Sequence, residues 1–284
     1  MRGVLFILAS ELWFSLASFF TKLAWSTGAI PGAETSFFRF LLGFVVAGIV
    51  LWKKGTGFKP VRPDLVVMRG VFNSTALVVF ALALQGTLLS KANTLNMTYP
   101  IFVFLIAPFI TGKQAKPMAW VLVAAAMGGT WMILQPDWSA GVNYYDLLGL
   151  LSGIIAAFGV TSLDLARRHD STFMILFYMM GVGTIISFGT WMIQIPWVGS
   201  SLPGGPGFWP MIGAAIFGVL GQIFITYGYG YVDARKGSIL SSSRILFSTV
   251  LGILFFQEQL GVLAWLGIGV VTAAIAFTGW VKKN

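Results

Sequence analysis

Long apolar runs make up most of this chain, and polar residues are concentrated in the short stretches between them. Each run holds roughly 20 residues, which is the length that an α-helix needs to cross the hydrocarbon core of a bilayer. The pattern therefore predicts an all-α integral membrane protein with ten transmembrane helices. The predicted spans lie at 3–26, 32–52, 65–85, 91–111, 117–135, 145–166, 172–195, 207–230, 237–256 and 262–281.

The composition agrees with a membrane protein and excludes several kinds of site. Hydrophobic residues make up 57% and charged residues 10% of the 284 positions, whereas about a quarter of residues are charged in a soluble domain. The chain has no cysteine and a single histidine, His169. Disulfides and thiolate metal sites are therefore excluded, and one histidine cannot form a histidine-based site alone. We expect no metal and no cofactor.

The basic residues of the loops predict the orientation of the chain. If the N-terminus is cytoplasmic, nearly all of them fall on the cytoplasmic side and little beyond Lys91 falls on the other. Cytoplasmic loops are enriched in Lys and Arg, so both termini are predicted in the cytoplasm, with the protein in a bacterial-type plasma (inner) membrane. The same distribution explains the net charge of +9 without a nucleic-acid partner. The cytoplasmic set is Arg2, Lys53, Lys54, Lys59, Arg62, Lys113, Lys116, Arg167, Arg168, Arg235, Lys236, Lys282 and Lys283.

A weak internal repeat is a second signal. A shift of about 145 positions aligns residues of the first half with similar residues of the second half. Each half holds five predicted spans, and because five is odd, the two copies must have opposite orientations in the membrane. We therefore expect a first five-helix repeat at 1–140 and a second, inverted repeat at 141–284, the arrangement of alternating-access carriers. The aligned pairs include Lys91 with Lys236, Leu95 with Leu240, Phe102 with Phe247 and Trp120 with Trp265.

Several ionisable residues lie inside the predicted spans. A charge at membrane depth is costly unless it is paired or faces water, so such residues mark binding sites or pathways. Glu11 and Arg244 each lie about eight residues from the cytoplasmic end of their spans, roughly 12 Å deep, and we expect them to meet. They form either a permanent structural pair or a pair that the substrate or a proton opens. Arg244 is the first candidate for binding an anionic group, because its guanidinium matches a carboxylate or phosphate.

The remaining charges are predicted to be structural or to act in gating. Arg39 lies five residues after Glu34, and these two side chains are expected to pair or to act together near the outer surface. Lys22, near the outer end of span 1, is able to extend its ammonium to the interface. Glu258, at the outer end of span 9, is expected to hold a loop rather than to contact the substrate.

Polar and aromatic side chains complete the predicted site. Each taken alone is also consistent with helix packing, because polar contacts between transmembrane helices contribute only about 0.6 kcal/mol on average. Trp13 is equally consistent with a packing or lipid-facing role. Pro100 and Pro108 within span 4 predict a bend or a hinge. The substrate-binding candidates are Glu11, Trp13, Asn73, Asn96, Tyr99, Gln222, Tyr227 and Arg244.

The order of several short segments resembles a known family. The segments are Trp13 to Lys22, Phe38-Arg39-Phe40, Leu88-Leu89-Ser90-Lys91-Ala92-Asn93 leading to Tyr99-Pro100-Ile101-Phe102, and Phe256-Gln257-Glu258-Gln259-Leu260. Together they resemble the EamA branch of the drug/metabolite transporter superfamily over the full length of the chain. The resemblance implies a 5+5 inverted-repeat bundle with a central cavity lined by spans 1, 3, 4, 6, 8 and 9. It also implies export of amino acids and related metabolites, or import of cofactor precursors or nucleotide-like molecules.

Two positions depart from the family pattern. The family usually has Gly-Glu at the end of the fourth span, whereas Gly112 is followed here by Lys113, and only the second half keeps the acid as Glu258. Glu11 stands where the family ordinarily has a small or apolar residue. We therefore expect Glu11 to contribute to specificity or coupling.

These observations favour a secondary transporter over an enzyme. The chain lacks the HExxH, Walker-type and GxSxG motifs, which carry metal, nucleotide and serine chemistry, so no catalytic residue is predicted. The predicted function is alternating-access transport of a small polar or amphipathic organic metabolite, with an amino-acid-like substrate and the export direction favoured.

Two alternatives stay open. The first is import of a nucleotide-like or cofactor-like anion, and the second, from another class, is a channel or a membrane enzyme. A channel needs a selectivity filter or a ring of charge. The expected partners are a small-molecule substrate, the lipid bilayer and a proton as candidate coupling ion. The protein is expected to be a monomer or a weak homodimer.

Overall fold

The computed structural model describes residues 2–28, 30–83, 95–112, 115–135, 142–198, 205–256 and 261–280. Within these ranges all regular structure is helical. The helices are α1 Arg2–Gly28, α2 Gly32–Lys54, α3 Pro63–Ala83, α4 Tyr99–Thr111, α5 Pro117–Leu134, α6 Tyr144–Ala166, α7 Thr172–Val198, α8 Phe208–Gly228, α9 Ala234–Leu240, α10 Ser243–Phe256 and α11 Val262–Trp280.

The helices match the predicted membrane spans. Eight helical segments of the described residues are long and apolar enough to cross a bilayer, and two shorter apolar helices cover Tyr99–Ile110 and Val262–Thr278. Each of these segments overlaps one of the ten predicted spans, and the arrangement of ten transmembrane helices in two repeats stays a prediction. The chain is therefore an all-helical integral membrane protein.

Polar residues at the loop ends fix where several helices begin and end. Asn143 accepts a hydrogen bond from the backbone N–H of Asp146, and Asp146 accepts one from the N–H of Asn143, so the two form a capping box before α6. Asp233 caps α9 in a similar way, accepting from the N–H of Lys236 at 2.9 Å. Such caps satisfy N–H groups that have no acceptor within the helix.

Predicted spans 4 and 9 are each interrupted by a turn. The interruption of span 4 agrees with the bend predicted from its prolines, whereas that of span 9 was not predicted. Span 9 is divided into α9 and α10 by a turn at Ser241–Ser242, and span 4 has a turn at Met97–Thr98 before α4 begins. Proline lacks a backbone N–H and is best tolerated in the first turn of a helix. Pro100 stands in the first turn of α4, so the helix begins there instead of running through the proline.

The helices form four closely packed pairs, α1 with α8, α3 with α6, α2 with α7, and α5 with α11. Glycines allow the closest approaches. A Cβ on Gly129 of α5 would lie 2.9 Å from the carbonyl oxygen of Gly267 on α11, and a Cβ on Gly267 would lie 2.6 Å from that of Gly129. The backbones of α5 and α11 therefore touch directly, as small residues permit in membrane helix pairs.

A large apolar core draws buried residues from every helix except α2. Its fully buried members include Ile7, Val103, Leu163, Ile175 and Leu240. The buried ionisable side chains of the candidate site lie on these helices and on the neighbouring α2.

Candidate functional site

An ion pair between α1 and α10 lies at the centre of the candidate site. Arg244 Nε donates to Glu11 Oε2 at 2.6 Å. The Glu11 side chain is 0% exposed, and that of Arg244 is 27% exposed. The predicted meeting of Glu11 and Arg244 is confirmed. The second carboxylate oxygen of Glu11, Oε1, is buried and has no hydrogen-bond partner among the described residues.

Side chains of α1 hold the start of α10 in place. The Ser15 hydroxyl lies 3.0 Å from the carbonyl oxygen of Arg244 and 2.9 Å from that of Glu11. Ser248 Oγ lies 3.3 Å from Ser15 Oγ. The guanidinium carbon of Arg244 lies 4.7 Å from the ring centroid of Phe14, a distance typical of a cation–π contact. The sequence analysis did not single out Phe14 or Ser15.

Arg39 of α2 reaches the same phenyl ring. Its guanidinium carbon lies 5.3 Å from the Phe14 centroid, so both arginines border one side chain. The guanidinium also lies against the backbone of α8, where a Cβ on Gly218 would come within 2.5 Å of Arg39 Nε. The described contacts of Arg39 are therefore with Phe14 and Gly218, and not with Glu34 as expected from the sequence. Glu34 is buried in the first turn of α2.

Arg69 of α3 is a further buried charge that the sequence analysis missed. It is 3% exposed, and its Nη2 lies 3.5 Å from Gln222 Oε1 on α8. A Cβ on Gly159 of α6 would lie 3.2 Å from Arg69 Nη1. The signal that could have identified Arg69 was present, because it is a cation inside predicted span 3.

Tyr99 and three serines surround the ion pair at the helix break. The Tyr99 hydroxyl is close enough to Glu11, Arg244 and Arg69 to interact electrostatically with all three. Ser241 lies near both Glu11 and Tyr99. The hydroxyls of Ser241, Ser242 and Ser243 are buried, and each lacks a hydrogen bond of good geometry within the described part of the chain.

Two of the predicted aromatic residues lie elsewhere. Trp13 stacks on Phe217 of α8, with ring centroids 5.7 Å apart, and Tyr227 stacks on Phe6 with centroids 5.6 Å apart. Two residues along a helix differ by about 200° in direction, so Trp13 and Glu11 point to nearly opposite sides of α1. The structure therefore places Trp13 and Tyr227 in an aromatic seam between α1 and α8.

Of the other predicted residues, Asn96 and Asn73 lie at contacts between helices, and the side chains of Lys22 and Glu258 are not described. Asn96 donates from Nδ2 to Ser152 Oγ at 2.8 Å and so joins the start of α4 to α6. Asn73 lies one turn after Arg69 on α3, and its backbone contacts Gly159. Lys22 lies on α1, but its side chain is outside the described part of the structure, as is the whole of Glu258.

Arg167 and Asp170 join the ends of several helices at one end of the bundle. Arg167 donates from Nε to the carbonyl of Thr226 at 2.9 Å and from Nη1 to that of Asp170 at 2.8 Å. The Asp170 carboxylate accepts from the N–H groups of Val61 and Arg62 at 2.7 and 3.0 Å. Burial lowers the pKa of the Arg167 guanidinium. These contacts connect the α2–α3 and α6–α7 loops with the end of α8.

No group of three or more His, Asp or Glu side chains in the described ranges is placed to hold a metal ion. The chemistry of the site is instead that of guanidinium groups, one carboxylate and several hydroxyls.

Comparison with known proteins identifies the family. The model of the EamA-like transporter family matches residues 1–135 and again residues 143–280. The chain belongs to the EamA-like transporter family. The resemblance seen in the sequence is thereby confirmed, and a transporter of this family acts on a small-molecule substrate in a membrane.

Relatives from distant organisms match nearly the whole transporter. It is 27% identical over 280 residues to a pseudopaline exporter of Pseudomonas aeruginosa, covering 97% of this chain and 95% of the relative. It is 25% identical over 294 residues to human solute carrier family 35 member G1, covering 96% of this chain and 77% of that protein.

One solved crystal structure shares the fold. It has a TM-score of 0.78 and 18% sequence identity to the transporter, with 98% of this chain and 96% of the other covered.

Proposed function

We propose that this transporter is a secondary carrier that moves a small polar or amphipathic organic metabolite across the inner membrane by alternating access. An amino-acid-like substrate and the export direction are favoured. The observation that carries the proposal is the buried Glu11–Arg244 pair, which lies beside the turn that divides α9 from α10. Carriers commonly bind their substrates at such broken helices near the middle of the membrane.

The inverted repeat is part of the proposal, with copies at 1–140 and 141–284. Two observations support it. The family model matches once in each half. The helix contacts also occur in related pairs. In the proposed repeat, α1 corresponds to α6, α2 to α7, α3 to α8, α4 to α9 and α10 together, and α5 to α11. The packing of α1 on α8 then has its counterpart in the packing of α6 on α3. The pairs α2 with α7 and α5 with α11 then each join equivalent helices.

The ion pair suggests how the substrate is bound. An amino-acid-like molecule presents a carboxylate that competes with Glu11 for Arg244, and an ammonium that competes with Arg244 for Glu11. Each exchange replaces one charged contact by another, so no buried charge is left unpaired. The free oxygen of Glu11 gives the ammonium a position before the pair opens. A proton that neutralises Glu11 would separate the pair in the same way and would couple transport to proton movement.

Counterflow in proteoliposomes tests the proposal. Purified protein is reconstituted with a mixture of unlabelled amino acids inside the vesicles, and uptake of the labelled amino acids is measured. We expect saturable uptake that Arg244→Gln abolishes. The matched control is Arg62→Gln, because Arg62 is an exposed arginine outside the bundle. Uptake by the Arg244 variant at the unmodified rate would contradict the proposal. Uptake that never saturates would indicate a channel.

A further inference from the structure

The interior of the bundle holds more positive than negative charge. Arg39, Arg69 and Arg244 all lie on membrane-spanning helices, and Glu11 pairs with Arg244. No carboxylate of the described residues lies within ion-pair distance of Arg39 or Arg69, and the Nε atoms of both are buried without a hydrogen-bond partner there. A guanidinium does not lose its proton in a protein. Two positive charges in the low-dielectric interior are therefore left without a carboxylate partner in the part of the chain that the structure describes.

These two arginines converge on one face of α8. Arg39 lies against Gly218, and Arg69 reaches Gln222, which is one helical turn further along. Residues four apart lie on the same face of a helix, about 6 Å from one another along its axis. Arg39 also borders Phe14, the ring that Arg244 contacts. One ligand can thus contact both guanidinium groups beside the ion pair.

The helix break adds further groups suited to an anion. The first residues of α10 follow the turn at Ser241–Ser242, where the N–H groups of Arg244 and Ile245 donate to the carbonyls of Ser241 and Ser242, so the groups considered for an anion are the serine side chains. The buried hydroxyls of Ser242 and Ser243 have no hydrogen-bond partner among the described residues, and that of Ser241 lies beside Glu11 and Tyr99. Hydroxyl groups of this kind can donate to the oxygens of a carboxylate or phosphate.

We infer that the substrate is a net-anionic solute with at least two acidic groups, one bound by Arg39 and the other by Arg69. This inference rests on the proposed transport function and narrows its substrate class. An amino-acid-like molecule still fits, provided that its acidic groups outnumber its amines. The acidic groups are carboxylates or phosphates, since both offer the paired oxygens that guanidinium groups bind.

Ligand protection and counterflow with defined probes test the charge class. The purified full-length protein is heated with succinate, glutamate, O-phosphoserine, leucine or lysine, because a ligand bound only by the folded state raises the melting temperature. We expect the three anionic probes to raise it and to compete in counterflow, and leucine and lysine to do neither. A larger effect of O-phosphoserine than of succinate identifies a phosphate as one of the two acidic groups, and the reverse identifies both groups as carboxylates.

Other results would overturn the inference in distinguishable ways. Saturable counterflow of leucine or lysine without competition by any anionic probe would overturn the charge class and leave the transport function intact. Counterflow of none of the five would overturn both.

Variants assign the two acidic groups to the two arginines. We expect Arg69→Gln and Arg39→Gln each to weaken binding of the anionic probes about tenfold or more, as loss of a charge-assisted hydrogen bond would. Arg69→Lys keeps the charge and should restore part of the binding. Arg62→Gln is the control and should bind like the unmodified protein.

Selectivity separates binding from a merely structural role. If Arg69 binds an acidic group, the Arg69→Gln variant discriminates less than the unmodified protein between succinate and a monocarboxylate such as butyrate. If Arg69 only supports the fold, binding of both probes falls in parallel with the melting temperature, and the inference is wrong. The same comparison applies to Arg39→Gln.

Discussion

At the scale of single residues, Glu11 provides the buried carboxylate that pairs with Arg244. Its carboxylate is fully buried, accepts from Arg244 at 2.6 Å through one oxygen, and leaves the other oxygen without a partner in the described part of the chain. Breaking a buried ion pair by removing one partner leaves the other charge uncompensated, whereas removing both charges together is often tolerated. Glu11 and Arg244 are therefore energetically coupled, and this coupling can be measured.

We predict that Glu11→Gln lowers stability more than the double variant with Glu11→Gln and Arg244→Gln does. The single change should cost about 3–5 kcal/mol because it leaves the Arg244 guanidinium without its carboxylate. The double change removes both charges, keeps the shape of the side chain at position 11 and shortens that at position 244. The measurement is thermal unfolding of the unmodified protein, both single variants and the double variant in one detergent. If the effects of the single changes simply add in the double variant, the pair makes no net contribution.

At the scale of helices, close backbone contact between α5 and α11 gives the clearest prediction. A Cβ on Gly129 would lie 2.7 Å from Val271 Cγ2 on α11, whereas a Cβ on Gly128 would meet nothing within 4 Å among the described residues. The two adjacent glycines therefore differ in their surroundings, since Gly129 faces α11 and Gly128 faces open space in the described structure.

We predict that Gly129→Ala lowers the melting temperature and that Gly128→Ala does not. The added methyl at position 129 must push α5 and α11 apart, and overpacking of this kind typically costs about 1–3 kcal/mol. At position 128 the replacement adds helix propensity without a clash, so stability should stay the same or rise slightly. Equal melting temperatures for the two variants, measured in the same detergent, would show that α5 and α11 do not pack through these glycines.

The contacts of Asp170 with the loop between α2 and α3 give a second prediction at this scale. We predict that Asp170→Ala destabilises the protein by about 1–3 kcal/mol, because the N–H groups of Val61 and Arg62 lose their acceptor. Asp64→Ala is the control, since Asp64 pairs with Arg62 at an exposed position and exposed pairs contribute little. Thermal unfolding of both variants checks this, and a larger loss for Asp64→Ala would be the opposite of the expected order.

At the scale of the whole molecule, the orientation proposed from the basic loops can be tested directly, because the chain has no cysteine of its own. We predict that a cysteine introduced by Thr56→Cys is protected from a membrane-impermeant maleimide in intact cells and reacts after the membrane is opened. A cysteine introduced by Val142→Cys should react in intact cells. Both positions are exposed loop residues. The reverse labelling pattern would place both termini outside the cytoplasm.

The family relationship explains why one fold can serve different substrates. The chain shares only 27% of its residues with the pseudopaline exporter of Pseudomonas aeruginosa over 280 positions, so most positions differ between the two. Substrate choice in this transporter must therefore be argued from its own buried groups, above all from Arg39, Arg69 and the Glu11–Arg244 pair.

The sequence by itself determined that the chain is an all-helical membrane protein and that Glu11 meets Arg244. Transmembrane helices are defined by local composition and length, which depend on no other part of the chain. The ion pair was predictable because both residues lie at similar depth, and two opposite charges in a poorly solvated interior are strongly favoured to meet.

Only the tertiary structure decided which side chains gather around that pair. Trp13 is close to Glu11 along the chain but points to the other side of α1, while Phe14 turns its ring toward Arg39 and Arg244. The break in span 9 and the direct contact of Gly129 with Gly267 likewise have no clear local signal. These features depend on the rotation and spacing of neighbouring helices, which hydrophobic length leaves open because a helix can turn about its axis without changing its depth.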